Sequence, residues 1–161
     1  MKQLKIKNIS KIEHNSKRYD VSVADNNNLF ANNILIHNCQ NIPHVLEQFK
    51  DKEVYVTEKI DCLDGDTLIL TVQGLQTIKD ICESNNKTFV LSQDIETKRV
   101  SFKPILNKVI RPNKNKQWIK ITLEDDTELL VTDDHRIWLP DLQCYRQVKE
   151  LTEKDFLLKL C

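Results

Sequence analysis

Runs rich in Val, Ile, Thr and aromatic residues recur along this chain between clusters of Asn, Asp and Lys, and only two of its 161 residues are glycine. That rhythm is the pattern of an all-β domain, and with so little glycine the turns that need a left-handed backbone must fall largely to asparagine. Strands are expected at Tyr19 to Val23, Ile34 to Ile36, Thr67 to Val72, Thr88 to Leu91, Val100 to Ile110, Gln117 to Leu123, Glu128 to Thr132, Arg136 to Leu139 and Phe156 to Leu160. Leu68-Ile69-Leu70-Thr71-Val72 is continuous enough to read as a strand covered on both faces, deep in the core. Two segments carry helical spacing instead: Ile78, Ile81 and Cys82 within Thr77 to Ser84, and Ile42, Val45, Leu46 and Phe49 within Asn41 to Lys50.

Length and charge narrow the class further. A chain of this size can bury one ordinary core. Its 24 basic and 24 acidic residues cancel, so no broad field draws it to nucleic acid or to an anionic membrane, and neither is expected as a direct partner. No apolar run approaches the roughly 20 residues needed to cross a bilayer. Met1-Lys2-Gln3-Leu4-Lys5 also lacks the apolar stretch of a secretory signal, and a cytoplasmic location is expected. The five cysteines, Cys39, Cys62, Cys82, Cys144 and Cys161, are irregularly spaced and form no C-x-x-C pair. This argues against a disulfide framework or a structural zinc site, and leaves each thiol as a buried small hydrophobe or a nucleophile.

Three short constellations carry possible chemistry. His37-Asn38-Cys39 sets an imidazole, a carboxamide and a thiol on successive residues after a β-prone stretch. An asparagine can attack its own backbone carbonyl and break the following peptide bond, and a neighbouring histidine can protonate the departing amine. Cys62-Leu63-Asp64-Gly65-Asp66-Thr67 precedes the apolar run and the turn at Gln73-Gly74, and Leu130-Val131-Thr132-Asp133-Asp134-His135 is a strand entering a Thr-x-x-His turn. Thr and His so spaced can both reach one peptide group. Taken singly, each of the three also reads as an ordinary strand end.

Together they resemble the inteins, the self-splicing protein domains. Arg18-Tyr19-Asp20-Val21-Ser22-Val23 and the stretch from Asp25 through Asn38 to Cys39 look like the family's last two motifs. Cys62 to Thr67 with Gly74 looks like the first, Leu130 to His135 like the Thr-x-x-His motif, and Glu150 to Leu158 like the close of many N-terminal halves. The resemblance implies a HINT (hedgehog/intein) fold in circularly permuted order. Residues 1–38 would be a C-terminal intein half, 39–61 a short, partly helical extein insert, and 62–161 an N-terminal half. Asn27 stands where many inteins have histidine, removing one proton carrier, and Asn33 stands where glycine is usual.

The same resemblance implies the roles. Thr132 and His135 would grip the Asp61–Cys62 peptide while the Cys62 thiol attacks the Asp61 carbonyl. Cys39 would take over the resulting thioester, Asp20 would handle protons between steps, and Asn38 would cyclise last with help from His37. No cofactor is required. If the halves associate within one molecule, the 23-residue segment 39–61 is released as a ring, and such a segment, up to roughly 70 Å long when extended, can close. If they pair with complementary halves on other chains, the segment is joined to partner exteins in trans. A metal trapped by His37, Cys39 and Cys62 would inhibit rather than assist.

The insert has its own resemblance. Cys39 to Phe49 and Val54 to Asp61 look like the start of phage-type RNA ligases, whose nucleophilic lysine would be Lys59. ATP and a divalent metal would then serve only the assembled ligase. A lysine nucleophile needs a closed, charged pocket to shed its proton, which 23 residues cannot build, so no ligase activity is expected of this chain itself. The glycine that should follow Asp61 in the ligase signature is absent, its place taken by Cys62. Besides self-processing, two other readings stand: a fragment of a fractured ligase whose function is to deliver Lys59, and an inactive β-rich binding module. Trp118 and Trp138 are expected to be packing residues, Cys82 and Cys144 buried or incidental, and His14 and His44, which lack partners in sequence, surface residues.

Overall fold

The computed structural model describes residues 1–38 and 61–161. The described chain is mostly β-sheet. Strands β1 (Lys2–Ile12), β2 (Arg18–Val23), β3 (Asn28–Ala31) and β4 (Ile34–His37) come first. After residue 61 follow β5 (Leu63–Asp64), β6 (Leu68–Thr71), β7 (Gly74–Thr77), β8 (Phe89–Gln93), β9 (Val100–Arg111), β10 (Trp118–Leu123) and β11 (Glu128–Thr132). Then come β12 (Arg136–Leu139), β13 (Cys144–Gln147) and β14 (Phe156–Lys159), with one helix, α1 (Ile78–Glu83), and a 3-10 turn at Val148–Glu150. The helical expectation for Asn41 to Lys50, like Cys39, His44 and Lys59, lies outside the described residues.

Pairing runs β13-β12-β4-β14-β1-β10-β11-β5-β2-β9-β8-β6-β3, and β3 pairs back onto β4, so the ladder closes on itself. Two long strands turn the corners. Lys2 to Lys5 of β1 pair with β14, whereas Ile6 to Ile12 pair with β10 after a register shift between Ile6 and Asn8. Likewise Val100 to Pro104 of β9 pair with β8, and Ile105 to Arg111 with β2. Strands that bend in this way pass from one sheet into the next, bringing the inner faces together over one core.

Every early strand is seated among late ones. β1 lies between β14 and β10, β2 between β5 and β9, β3 against β6, and β4 against β14 and β12. Ile6, Val21, Val23, Leu29, Phe30, Ile34, Leu35 and Ile36 are each at most 1% exposed. At about 1.5–3 kcal/mol per buried side chain, their gross contribution is about 12 kcal/mol or more, as large as the whole net stability of a typical domain.

Asparagine does take the turns. Of the eight non-glycine residues described with positive φ, four are Asn and two are Asp. Asn32 (φ 46°) and Asn33 (φ 66°) join β3 to β4 in a two-residue turn with both residues left-handed, the geometry that matches the twist of a hairpin. Asn33 thus meets the backbone demand that glycine would. Thr77 caps α1, its hydroxyl accepting from the Asp80 amide at 3.1 Å, and Ile78, Ile81 and Cys82 face the core as their spacing predicts.

Two expectations need correction. Leu68 to Val72 is not covered on both faces: Leu68 is 42% and Val72 50% exposed, while Ile69 and Thr71 are buried. Ile69 and Thr71 face the core, and the period of two turns the other face of β6 outward. His14 does have partners, its Nε2 lying 2.6 Å from Asp64 Oδ1 and its ring edge-on to Trp118. Trp118 and Trp138 are packed inside, Cys82 is buried, and Cys144 is only half-buried. Among the described residues no helix is long and apolar enough to cross a membrane.

Gly65 sits where a side chain has no room, because an added Cβ would lie 2.9 Å from Tyr19 Cε2 and 3.3 Å from Lys79 Cβ. Gly65→Ala is therefore expected to lower stability by about 1–3 kcal/mol in urea unfolding. Residues 1–38 and 62–161 made as separate chains should each lack a cooperative thermal transition and regain one on mixing. A sharp transition in either chain alone would contradict the shared core.

Candidate active site

The turn after β11 is built from backbone. His135 N donates to Thr132 O at 3.0 Å, Val148 N to His135 O at 2.8 Å, and Lys149 N to Asp133 O at 3.0 Å. The Thr132 and His135 side chains, both fully buried, are thereby set on Cys62. Cys62 N donates to Thr132 Oγ1 at 3.3 Å, and the Cys62 carbonyl accepts from Thr132 N at 3.2 Å and lies 3.3 Å from His135 Nδ1. Thr132 thus touches the nitrogen of the Asp61–Cys62 peptide, while His135 holds the next carbonyl along. Sequence reasoning had put both on the peptide before Cys62.

β4 brings in the early residues. Its Ile36 pairs with Ile137 of β12, so His37 comes beside Arg136. Asn38 is fully buried, its backbone N donating to Asn27 O at 3.1 Å and its side-chain Nδ2 to Val21 O at 3.1 Å. His37 stands edge-on to Tyr145, ring centres 5.0 Å apart, with Nδ1 3.7 Å from Asp61 Oδ2. That same oxygen accepts from Arg136 Nε at 3.0 Å. The carboxylate of Asp61 therefore connects the residues on either side of segment 39–60.

β2 forms the floor. Arg18 pairs with Asp64 and Tyr19 with Leu63, so Asp20 and Cys62 are the next residues beyond the last pair on each side. Asp20 is fully buried, and its Oδ1 accepts from Val21 N at 2.7 Å. Arg18, 1% exposed, brings Nη1 within 4.0 Å of Cys62 Sγ, a positive charge at the sulfur where negative charge would develop. Cys82 Sγ donates to Asp20 O at 3.5 Å, and burial pushes that thiol up to about 12, so it is no nucleophile.

Burial also governs the imidazoles. His37 is pushed down to about 4, by burial first and by the nearby Arg136 charge second, against the pull of Asp61. His135 is lowered too, again chiefly by burial. Both are neutral at pH 7. His135 Nδ1 faces the Cys62 carbonyl, to which a proton on that nitrogen can be donated, and Nε2 is buried.

Six candidates from the sequence, Asp20, His37, Asn38, Cys62, Thr132 and His135, thus sit in one linked neighbourhood, while Cys39 and Lys59 lie outside the described residues. Local sequence gave no signal for Arg18, Asp61, Asn28, Arg136 or Tyr145. Asn28 is fully buried, donating to Gln93 O at 2.8 Å and Tyr145 Oη at 3.2 Å and accepting from Ser92 Oγ at 2.8 Å. It steadies the ring on which His37 leans. Among the described residues no group of three or more His, Cys, Asp or Glu could hold a metal ion.

No protein-family model matches the chain. DNA topoisomerase 1 of Pyrococcus furiosus is 34% identical to it over 80 residues, half of this chain. The chain spans only 7% of that protein's length, so the likeness assigns no activity here.

An imidazole kept neutral in the fold but protonated in the unfolded chain makes the unfolded state bind more protons below pH 6.5. Stability is therefore unaffected above that value and lost as pH falls toward about 4, by up to roughly 3 kcal/mol for His37 alone. The melting temperature of a chemically silent Cys62→Ala/Asn38→Ala chain should drop between pH 7 and pH 4.5, and drop less when His37→Gln is added. Equal drops with and without His37 would refute the assignment.

Proposed function

We propose that this chain is a self-splicing intein whose two halves occur in reversed order and pair within one molecule, excising residues 39–61 as a ring. Support comes from the shared core of residues 1–37 and 63–159 and, above all, from the link that runs from His37 through Asp61 to Cys62, which keeps both ends of the segment together.

Chemistry begins at Cys62. Its sulfur adds to the Asp61 carbonyl carbon, the C–N bond to Cys62 breaks, and the freed nitrogen takes the thiol's proton, leaving a thioester. The Thr132 hydroxyl at that nitrogen and the Arg18 charge near the sulfur favour the step. The sulfur of Cys39 then adds to the same carbonyl and the Cys62 thiol departs. Asn38 Nδ2 next attacks its own carbonyl carbon, the bond to Cys39 breaks, the Cys39 nitrogen takes a proton, and a succinimide remains on residue 38. That nitrogen finally attacks the thioester carbon, exchanging S for N and closing an amide.

His37 accounts for the order of events. Neutral before the first step, it is a poor acid, so the cleavage after Asn38 is held back while Arg136 and the surrounding apolar groups keep it so. Asp20 stands between Tyr19, which pairs with the residue after Cys62, and Val21, whose carbonyl holds Asn38, which suits a carrier of protons between the two junctions. Joined instead to partner exteins in trans, the segment would be, by its resemblance to RNA ligases, a ligase fragment whose Lys59 acts only within the complete ligase.

Intact-mass measurement tests this reading. Freshly purified wild-type chain should yield a ring of residues 39–61, lighter by one water than the linear peptide, and neither Cys62→Ala nor Asn38→Ala should do so. Product only on adding a complementary half would mean pairing in trans. Chains that stay intact under all conditions would leave a β-rich binding module.

A further inference from the structure

Asp61 is a carboxylate with almost no water: it is 4% exposed, in contact with a guanidinium that is itself 36% exposed and an imidazole that is 10% exposed. A charge so placed is tolerated only when paired. Its pairing is also oriented, because Arg136 is set by the Ile137–Ile36 register and by the turn that fixes His135. Asp61 belongs to the excised segment, whereas Arg136 belongs to the domain that would do the excising.

We infer that Arg136 is a specificity-determining residue, which selects polypeptides carrying a carboxylate on the residue just before the nucleophilic cysteine. This rests on the splicing reading and names its substrate class. The carbonyl attacked by Cys62 is that of Asp61, so the Arg136 clamp on the side chain and the Thr132 contact at Cys62 N hold the scissile peptide from both sides. Orientation of that kind enters the rate directly. A neutral side chain leaves Arg136 without its partner and the carbonyl free to turn. A basic one meets like charge in a poorly hydrated site.

The pairing has a second consequence for His37. While the carboxylate is present, its charge lies on Arg136 and His37 at once, at 3.0 and 3.7 Å. Once the thioester passes to Cys39, Asp61 is no longer bonded to Cys62, and its side chain is no longer tied through that bond to the position from which it meets Arg136 and His37.

The test measures dithiothreitol cleavage at Asp61–Cys62 in an Asn38→Ala background, which reads the first step apart from the last, together with ring formation in the otherwise wild-type chain. Asp61→Asn and Asp61→Ala should slow cleavage roughly tenfold or more, Asp61→Glu should fall between, and Asp61→Lys should be slowest. Arg136→Glu should be slow with Asp61 and recover at least half of the loss, on a logarithmic scale, when combined with Asp61→Lys. Far-ultraviolet circular dichroism of each variant separates unfolding from loss of selection, and charge-swap rescue would not follow from a merely structural role. Wild-type product with equal rates for all Asp61 variants, or no rescue in the swap, overturns the selection alone. No product and no cleavage in any chain, Asp61 wild type included, overturns the splicing reading and this inference with it.

Discussion

β4 has four residues and lies against β3, β12 and β14, and this crowding is the constraint on which the site depends. Its side chains Ile34, Leu35 and Ile36 are entirely buried, Ile34 and Ile36 in one apolar cluster and Leu35 in another, so a slip by one residue would drive each side chain into the packing of the opposite face. His37 and Asn38 are therefore carried to a defined place, beside Arg136 and over Val21. The same logic holds around the ladder, since each early strand finds its hydrogen-bond partners and its apolar neighbours in the late part of the chain.

Closure of the sheet also explains the electrostatics. Because the ladder returns on itself, His37 and His135 end up in a dry place, where an imidazole loses its proton. His37, His135, Asp61 and Arg136 consequently form one coupled set rather than four independent groups. Thr132 and Arg18 add a hydroxyl and a second positive charge at the backbone nitrogen and the sulfur of Cys62.

Most strands were legible as short apolar runs between polar clusters. Glu128–Thr132 and Arg136–Leu139 contain the runs Leu129-Leu130-Val131 and Ile137-Trp138-Leu139, and the helix at Ile78–Glu83 follows from the spacing of three apolar residues after a capping threonine. Lys2–Ile12 escaped notice because lysines dominate its outer face and only Leu4 and Ile6 point fully inward before the register shift. Cys144–Gln147 has no buried residue to mark it, and Leu63–Asp64 is too short to carry a period. At Leu68 to Val72 the apolar run is unbroken yet one face is exposed, because what is packed against a strand's face is not written in the strand's own residues.

What the residues determined by themselves was chemical and local: a β-rich chain, asparagine in left-handed turns, and thiol, imidazole and carboxamide groups at spacings that a strand end can present. Which of these groups meet was decided only by the closed ladder. Asp61 and His37 are separated by 24 positions along the chain yet lie 3.7 Å apart, and Arg136 reaches the same oxygen from β12. Burial depth, which sets the protonation of His37 and His135, was likewise a property of the assembled sheets, because desolvation depends on every neighbour that displaces water and not on the residue's own flanks.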